Sequence, residues 1–331
     1  MAAFGLGRRA ALAGILGATG ALKPGVAAAQ ATSDWPNRSI RWVNPGPAGG
    51  AGDVISRLVA DRLQARLGQP VVVDNRPGAG TNIGMAIVAR APADGYTIGL
   101  ASIAANAANK WLYRSLPFDP ERDFASIGMI ALVPNIVVIP PSVPARTLPE
   151  FIAWARAQNR PINFGSVGAG SSQHLAGSQF QLITGLQLQH LPYTNSGQMN
   201  TDLMEGRTDM LFQSISAVAQ MAQTGRMRPI AVSGTDRVAA FPDLPTMREQ
   251  GVEITSTGWF GLCGPSGMPE PILARLDAEL SAIVEDPAFR ERILAGGAVP
   301  RRMGRADFAA FMAAETARWG EVVRAVGASA D

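Results

Sequence analysis

Cysteine is almost absent. Cys263 stands alone among 331 residues, which excludes an internal disulfide and leaves too few thiols for a metal–thiolate cluster. Histidine is nearly as scarce: His174 and His190 are the only two, and they lack the spacing of a zinc site. Lysine occurs only at Lys23 and Lys110. The remaining basic residues are arginines scattered along the chain, without a run that would form a nucleic-acid surface. Complete nucleotide signatures are missing too. No lysine follows the last glycine of the first glycine-rich loop, since Asp53 stands there, and no G-x-S-x-G elbow is present.

What is there suits a large packed core: 47% of residues are hydrophobic and 17% charged, with a net charge of only +3. The length allows one large or two medium domains. At the N-terminus Arg8 and Arg9 precede an apolar, alanine-rich run from Ala10 to Leu22, followed by small residues at Ala27, Ala28, Ala29 and Ala31. This is the layout of a secretory signal peptide, residues 1–31, cleaved near Ala29 to Ala31. The run is shorter than a comfortable membrane span. The arginine pair fits the twin-arginine route and the general secretory route equally.

The stretch Ile40 to Leu67 organises the chain. A short apolar run ends at Pro45, glycines follow at 46, 49, 50 and 52, and then apolar residues recur at helical spacing from Val54 to Leu67. Strand, glycine-rich loop and helix start are expected in that order. Such a junction aims unpaired N–H groups and the positive end of a helix dipole at one point, which suits a small anion. Strands are expected at Pro70–Asp74 and Tyr96–Ala101, with a helix over Asn82–Ala91. Alternation of this kind predicts a parallel, doubly wound sheet. A second βα series follows, with strands at Ile162–Ser166, Leu186–Tyr193, Thr208–Gln213 and Pro229–Ser233. The extended segments Ile127–Ile139 and Ile254–Cys263 read as crossings between two lobes. The end reads as helical, over Pro269–Val284, Pro287–Leu294 and Asp307–Val326.

Five blocks stand in order: PGPAGGAGD (45–53), DNRPGAGTNIG (74–84), ADGYTIGLAS (93–102), FGSVGAGSSQHLAG (164–177) and GWFGLCGPSGMP (258–269). Over nearly all of the mature chain they resemble the Bug family, the periplasmic solute-binding proteins of tripartite tricarboxylate transport systems. The resemblance implies a two-lobed, type II periplasmic-binding-protein-like α/β fold, each lobe a mainly parallel sheet flanked by helices, joined by two crossover strands. Lobe I would comprise residues 32–127 and 235–331, and lobe II residues 128–234. It implies a periplasmic receptor without catalysis, cofactor or metal, taking a small carboxylate and working with inner-membrane permease subunits.

Carried over by position, the ligand-binding residues would be Pro47, Ala48, Gly49, Gly50, Ala51, Thr81, Asn82 and Ser102 from the first half. From the second they would be Ser166, Gly170, Ser171, Ser172, His174, Tyr193, Gln213 and Ser214. The carboxylate would be held by backbone N–H groups, hydroxyls and bridging waters, with no dedicated arginine. Gly46 replaces the aromatic usual in the first loop, and Gly52 replaces a common Thr or Ser.

Each of these residues also has a plain structural role open to it. The serines can cap a helix, His174 can pack in a first helical turn, and Trp259 can serve either core or cleft. Asp53 is expected to stabilise its own helix start. Two enzyme readings stay open on residues alone: a serine hydrolase using Ser171 or Ser172 with His174, and, further off, an NAD-dependent dehydrogenase on the Gly78–Gly84 turn.

Overall fold

The protein is described by a computed structural model over residues 34–327, 329 and 330. The chain divides into two units, residues 1–35 and 36–331. The signal peptide and its cleavage position lie outside the described residues. The second unit holds the whole fold.

Strand β1 (Ile40–Asn44) lies between β2 (Val71–Asn75) and β3 (Thr97–Ser102), parallel to both. Helices α1 (Ala51–Leu67) and α2 (Asn82–Ala89) make the crossovers. Ile40, Trp42 and Val43 are buried, because a parallel strand covered on both faces needs carbon on both. In the second half β5 (Ile162–Ser166) is parallel to β6 (Leu188–Pro192) and β7 (Met210–Ser214). Helices α3 (Leu148–Arg156), α4 (Ser172–Thr184), α5 (Ser196–Met204) and α6 (Ile215–Gln223) belong to this half, as does β8 (Arg228–Val232).

The two halves are one covalent sheet system because β4 (Phe124–Ile139) belongs to both. Its residues up to Pro134 pair antiparallel with β9 (Thr257–Pro265), and from Asn135 onward it pairs with β7 and β8. Pro134 has no N–H to donate, and it stands where β4 changes partners. The return crossing begins at Ser256, whose N–H bonds Ser233 O at 2.9 Å, and continues into β9. Both crossings agree with the expected extended segments, shifted by a few residues at their ends. The fold is the two-lobed α/β architecture expected.

The C-terminal third holds α7 (Glu270–Glu285), α8 (Pro287–Ala295) and α9 (Arg305–Val326). Between α8 and α9 lies β10 (Val299–Met303), antiparallel to the first part of β4. Helices alone are expected there from sequence. Pro300 and the pair Arg301–Arg302 hide the strand pattern, and only an edge position tolerates them. A second unexpected feature follows β3. Residues Ala104–Ala108 form a π-helical turn that runs into a short α-helix, Asn109–Leu112.

Helix α9 is fixed by a buried carboxylate. Glu315 Oε2 accepts the indole N–H groups of Trp259 at 2.9 Å and Trp319 at 3.0 Å, and Arg318 bonds Oε1 at 2.8 Å. Phe308 and Phe311 pack edge-on against the Trp259 ring. The indole of Trp259 is therefore committed to the core. Glu315→Leu should leave two buried donors unpaired and destabilise the fold by about 2–6 kcal/mol, from roughly 1–3 per orphaned group. An unchanged urea midpoint with an unchanged slope would contradict this account.

Candidate functional site

The carboxyl ends of β1, β3, β5 and β7 and the turns after them face the gap between the lobes. At the first turn, Gly46 N–H donates to Asn44 Oδ1 at 3.2 Å, and Asn44 Nδ2 donates to Asn75 Oδ1 at 2.9 Å. Asp53 braces the same turn. Its carboxylate accepts Gly49 N–H at 2.9 Å and Asn75 Nδ2 at 3.0 Å, and it pairs with Arg57 at 2.9 Å. Burial acts to raise the Asp53 pKa, but the Gly49, Asn75 and Arg57 bonds outweigh it and hold the carboxyl below its usual value. Asp53 thus serves its own helix start, as expected. Gly50 is the N-cap of α1 and offers no side chain, so the N–H groups of the first turn remain for another acceptor.

From β3 comes Ser102, 5% exposed, whose Oγ has no partner; Thr81 Oγ1 has none either. In the second lobe Ser171 caps α4 by accepting His174 N–H at 3.2 Å and donates to Gly168 O at 2.7 Å. Ser172 Oγ accepts from Asn135 Nδ2 at 3.1 Å. Gln173 reaches back to Val167 N–H at 2.8 Å and across to Gln213 Oε1 at 2.7 Å. Ser214 is the N-cap of α6, again without a side-chain cap bond.

These groups surround a cavity of about 80 Å³ that opens at its mouth to solvent. Eight of the residues expected at a site line it: Pro47, Gly50, Ala51, Thr81, Ser102, Ser171, Ser172 and Ser214. The others sit elsewhere. Ala48 and Gly49 are exposed beside the cavity rather than on its wall. Asn82 accepts from Asn109 Nδ2 at 2.7 Å. Ser166 Oγ bonds Gly168 O at 3.1 Å and His190 Nε2 at 2.7 Å. Gly170 N–H bonds His174 Nδ1 at 3.3 Å. Tyr193 donates to Asp202 at 2.8 Å, and burial, then this bond, pushes its phenol up to about 12. Gln213 lies behind Gln173, also bonded to Asn200 at 3.2 Å.

Lining residues that sequence reasoning missed include Asn44, Leu100, Val133, Asn135, Val167, Gln173 and Phe260. Phe260 lies inside the GWFGLCGPSGMP block, so its neighbourhood was visible although its role was not. Trp259 also touches the cavity wall. None of the lining residues is ionisable. Arg76, the arginine nearest a glycine-rich turn in sequence, is paired with Asp74 at 2.9 Å.

The lobes touch beside the cavity. A Cβ on Gly80 (φ +56°) would stand 2.7 Å from Ala169 O and 2.5 Å from Tyr113 Oη. A Cβ on Gly50 would stand 3.2 Å from both Pro47 O and Ser196 Oγ. Glycine lets the two backbones meet at position 80, and lets the Ser196 side chain approach the first loop at position 50. The Gly78–Gly84 turn therefore abuts the other lobe at Gly80.

The residues do not assemble a nucleophile. The hydroxyls of Ser171 and Ser172 are engaged as described, and His174 Nδ1 takes a backbone N–H. Among the described residues the serine–imidazole contact is Ser166 with His190, part-buried and off the cavity wall. Burial pushes His174 down to about 4, and burial plus the adjacent His174 pushes His190 down to about 3. Neither is a useful base near neutral pH. Among the described residues no group of His, Cys, Asp and Glu could hold a metal, and no helix is long and apolar enough to cross a membrane.

Residues 55–328 match the family described as "Tripartite tricarboxylate transporter family receptor". The chain belongs to this receptor family. Protein BugT of Bordetella pertussis is 35% identical over 306 residues, covering 92% of this chain and 94% of that protein. Among solved structures, "R. palustris Rpa4515 with adipate" superposes with a TM-score of 0.87 at 33% identity, covering 89% of this chain and 99% of the other. MatC from Rhodopseudomonas palustris "with bound malate" gives 0.83 at 27% identity, covering 87% and 100%. As a member of the Bug group this receptor is a solute-binding protein and not an enzyme, so the hydrolase and dehydrogenase readings fall.

The histidine pair gives the receptor an acid sensitivity. His174 and His190 lie with ring centroids 4.4 Å apart and their planes tilted by 41°. Both are held neutral in the fold but protonate freely once unfolded, near pH 6.5. Their stabilisation is complete above that pH and lost as pH falls toward about 4. The melting temperature should drop by several degrees between pH 7 and 4.5, and drop less in His190→Gln. Equal drops in both proteins would refute this origin.

Proposed function

We propose that this receptor captures a small carboxylated metabolite in the periplasm, between its lobes, and delivers it to membrane permease subunits of the tripartite tricarboxylate type. The observation that carries the reading is a cavity without ionisable side chains, onto which two unpartnered hydroxyls and two helix starts without side-chain caps open. Donors without acceptors at helix N-termini suit an anion, and the adipate and malate in two relatives support a carboxylate. The contacts proposed are Pro47, Gly50, Ala51, Thr81, Ser102, Ser171, Ser172 and Ser214. We take residues 32–127 with 235–331 as lobe I and 128–234 as lobe II.

The energetics suffice without a cation. A micromolar Kd requires about −8 kcal/mol. Hydrogen bonds to a charged group contribute roughly 1.5–3 kcal/mol each, and a helix start about 0.3–1, up to roughly 2 when partly buried. Three or four such bonds offset ordering and desolvation.

A thermal-shift screen of carboxylates on the mature protein should find stabilisation with no turnover. In calorimetry Gly50→Val should weaken binding far more than Trp259→Phe, because its Cβ is wedged between Pro47 O and Ser196 Oγ. Ser102→Ala should cost about 10-fold or more, the worth of one bond to a charged group. No stabilisation by any carboxylate, or unaltered affinity in Gly50→Val, would remove the reading.

A further inference from the structure

One face of the sheet forms the cavity wall on the first-lobe side. Strands β3 and β9 are antiparallel with Ser102 directly opposite Phe260, so the hydroxyl and the ring project side by side from the same face. Leu100, two residues before Ser102, projects from that face as well. Val133 of β4 is a further lining residue, opposite Gly258 of β9. At the α1 start, a Cβ on Gly52 would meet Leu100 Cδ2 at 2.9 Å, Asn44 Oδ1 at 3.0 Å and the Phe260 ring at 3.5 Å, so two of its three nearest neighbours are apolar.

The polar side chains on the other walls are already engaged. Asn135 Nδ2 is bonded to Ser172 Oγ, Gln173 to Val167 and Gln213, and Ser214 Oγ to Gln213 Oε1 at 3.3 Å. The unpartnered side-chain hydroxyls of the lining are Thr81 and Ser102. A second carboxylate on the same ligand would find no cation and no unpartnered side-chain hydroxyl, only the backbone N–H groups at the start of α6, so it would offset less of its desolvation than the first.

We infer, on the carboxylate reading above, that this cleft is shaped for a monocarboxylate with an uncharged apolar body. The anionic end meets Ser102, Thr81 and the start of α1, and the body lies against Phe260, Leu100 and Val133. Phe260 is the residue that sets this specificity.

Calorimetry on the full mature protein would compare 3-phenylpropanoate with adipate, malate and the uncharged 3-phenylpropanol. The expected result is 3-phenylpropanoate binding at least ten times more tightly than either dicarboxylate, with no detectable binding of the alcohol. Phe260→Ala should lose at least ten-fold for 3-phenylpropanoate and less for adipate, with melting curves checking that the variant is folded. Adipate or malate binding as tightly as 3-phenylpropanoate would overturn the monocarboxylate assignment and leave the carboxylate reading standing. Binding of the alcohol as tightly as the acid, or no binding of any acid, would overturn both. The comparison of ligands on the unaltered protein decides the matter even if the variant does not fold.

Discussion

On the proposed reading, holding an anion without a fixed cation is the constraint on which this receptor's design depends. Partial charges on backbone N–H groups are small, so they act only when several point at one place and stay there. Much of the polar structure around the cleft does that holding. Asp53 and Asn75 lock the first turn, Asn44 closes on Gly46, and Gln173 ties the second-lobe turn to β7 through Gln213. Several buried polar residues that resemble ligand groups are therefore the scaffolding of those groups.

The same constraint places the cleft between two bodies that share a framework. The sixteen-residue β4 provides it, changing sheets at Pro134 and Asn135. The change of partners places Asn135 on the cavity wall and bonds it to Ser172 of α4. A strand that builds both cores thus also contributes to the site between them. Contacts at Gly50 with Ser196 and at Gly80 with Ala169 set how closely the lobes approach.

Much of this was legible in the chain. The glycine-rich junction after β1 announced its strand, turn and helix, because sharp turns restrict residue type strongly. The alternation of strands and helices gave two doubly wound lobes, and the two long apolar segments marked the crossings. Strand β10 was illegible because Pro300 and two arginines are tolerated only at an edge, and an edge is a property of the sheet. The π turn at Ala104–Ala108 likewise carries no punctuation that sets it apart from an alanine-rich helix.

The site divides in the same way. Sequence by itself determined that the turns around Gly50 and Ser171 would end strands and begin helices, and that the strand before Ser102 would end there, since backbone conformation and hydrogen-bond geometry at such turns are local. Only tertiary structure decided which hydroxyls reach the cleft. Ser102 and Thr81 were left without partners, whereas Tyr193 was drawn to Asp202, Gln213 to Gln173 and Ser166 to His190. It also brought Phe260 beside Ser102 through the register of two strands far apart in the chain. The reason is physical: a donor goes to the acceptor that packing brings within about 3 Å, and that neighbour is fixed by how the elements assemble.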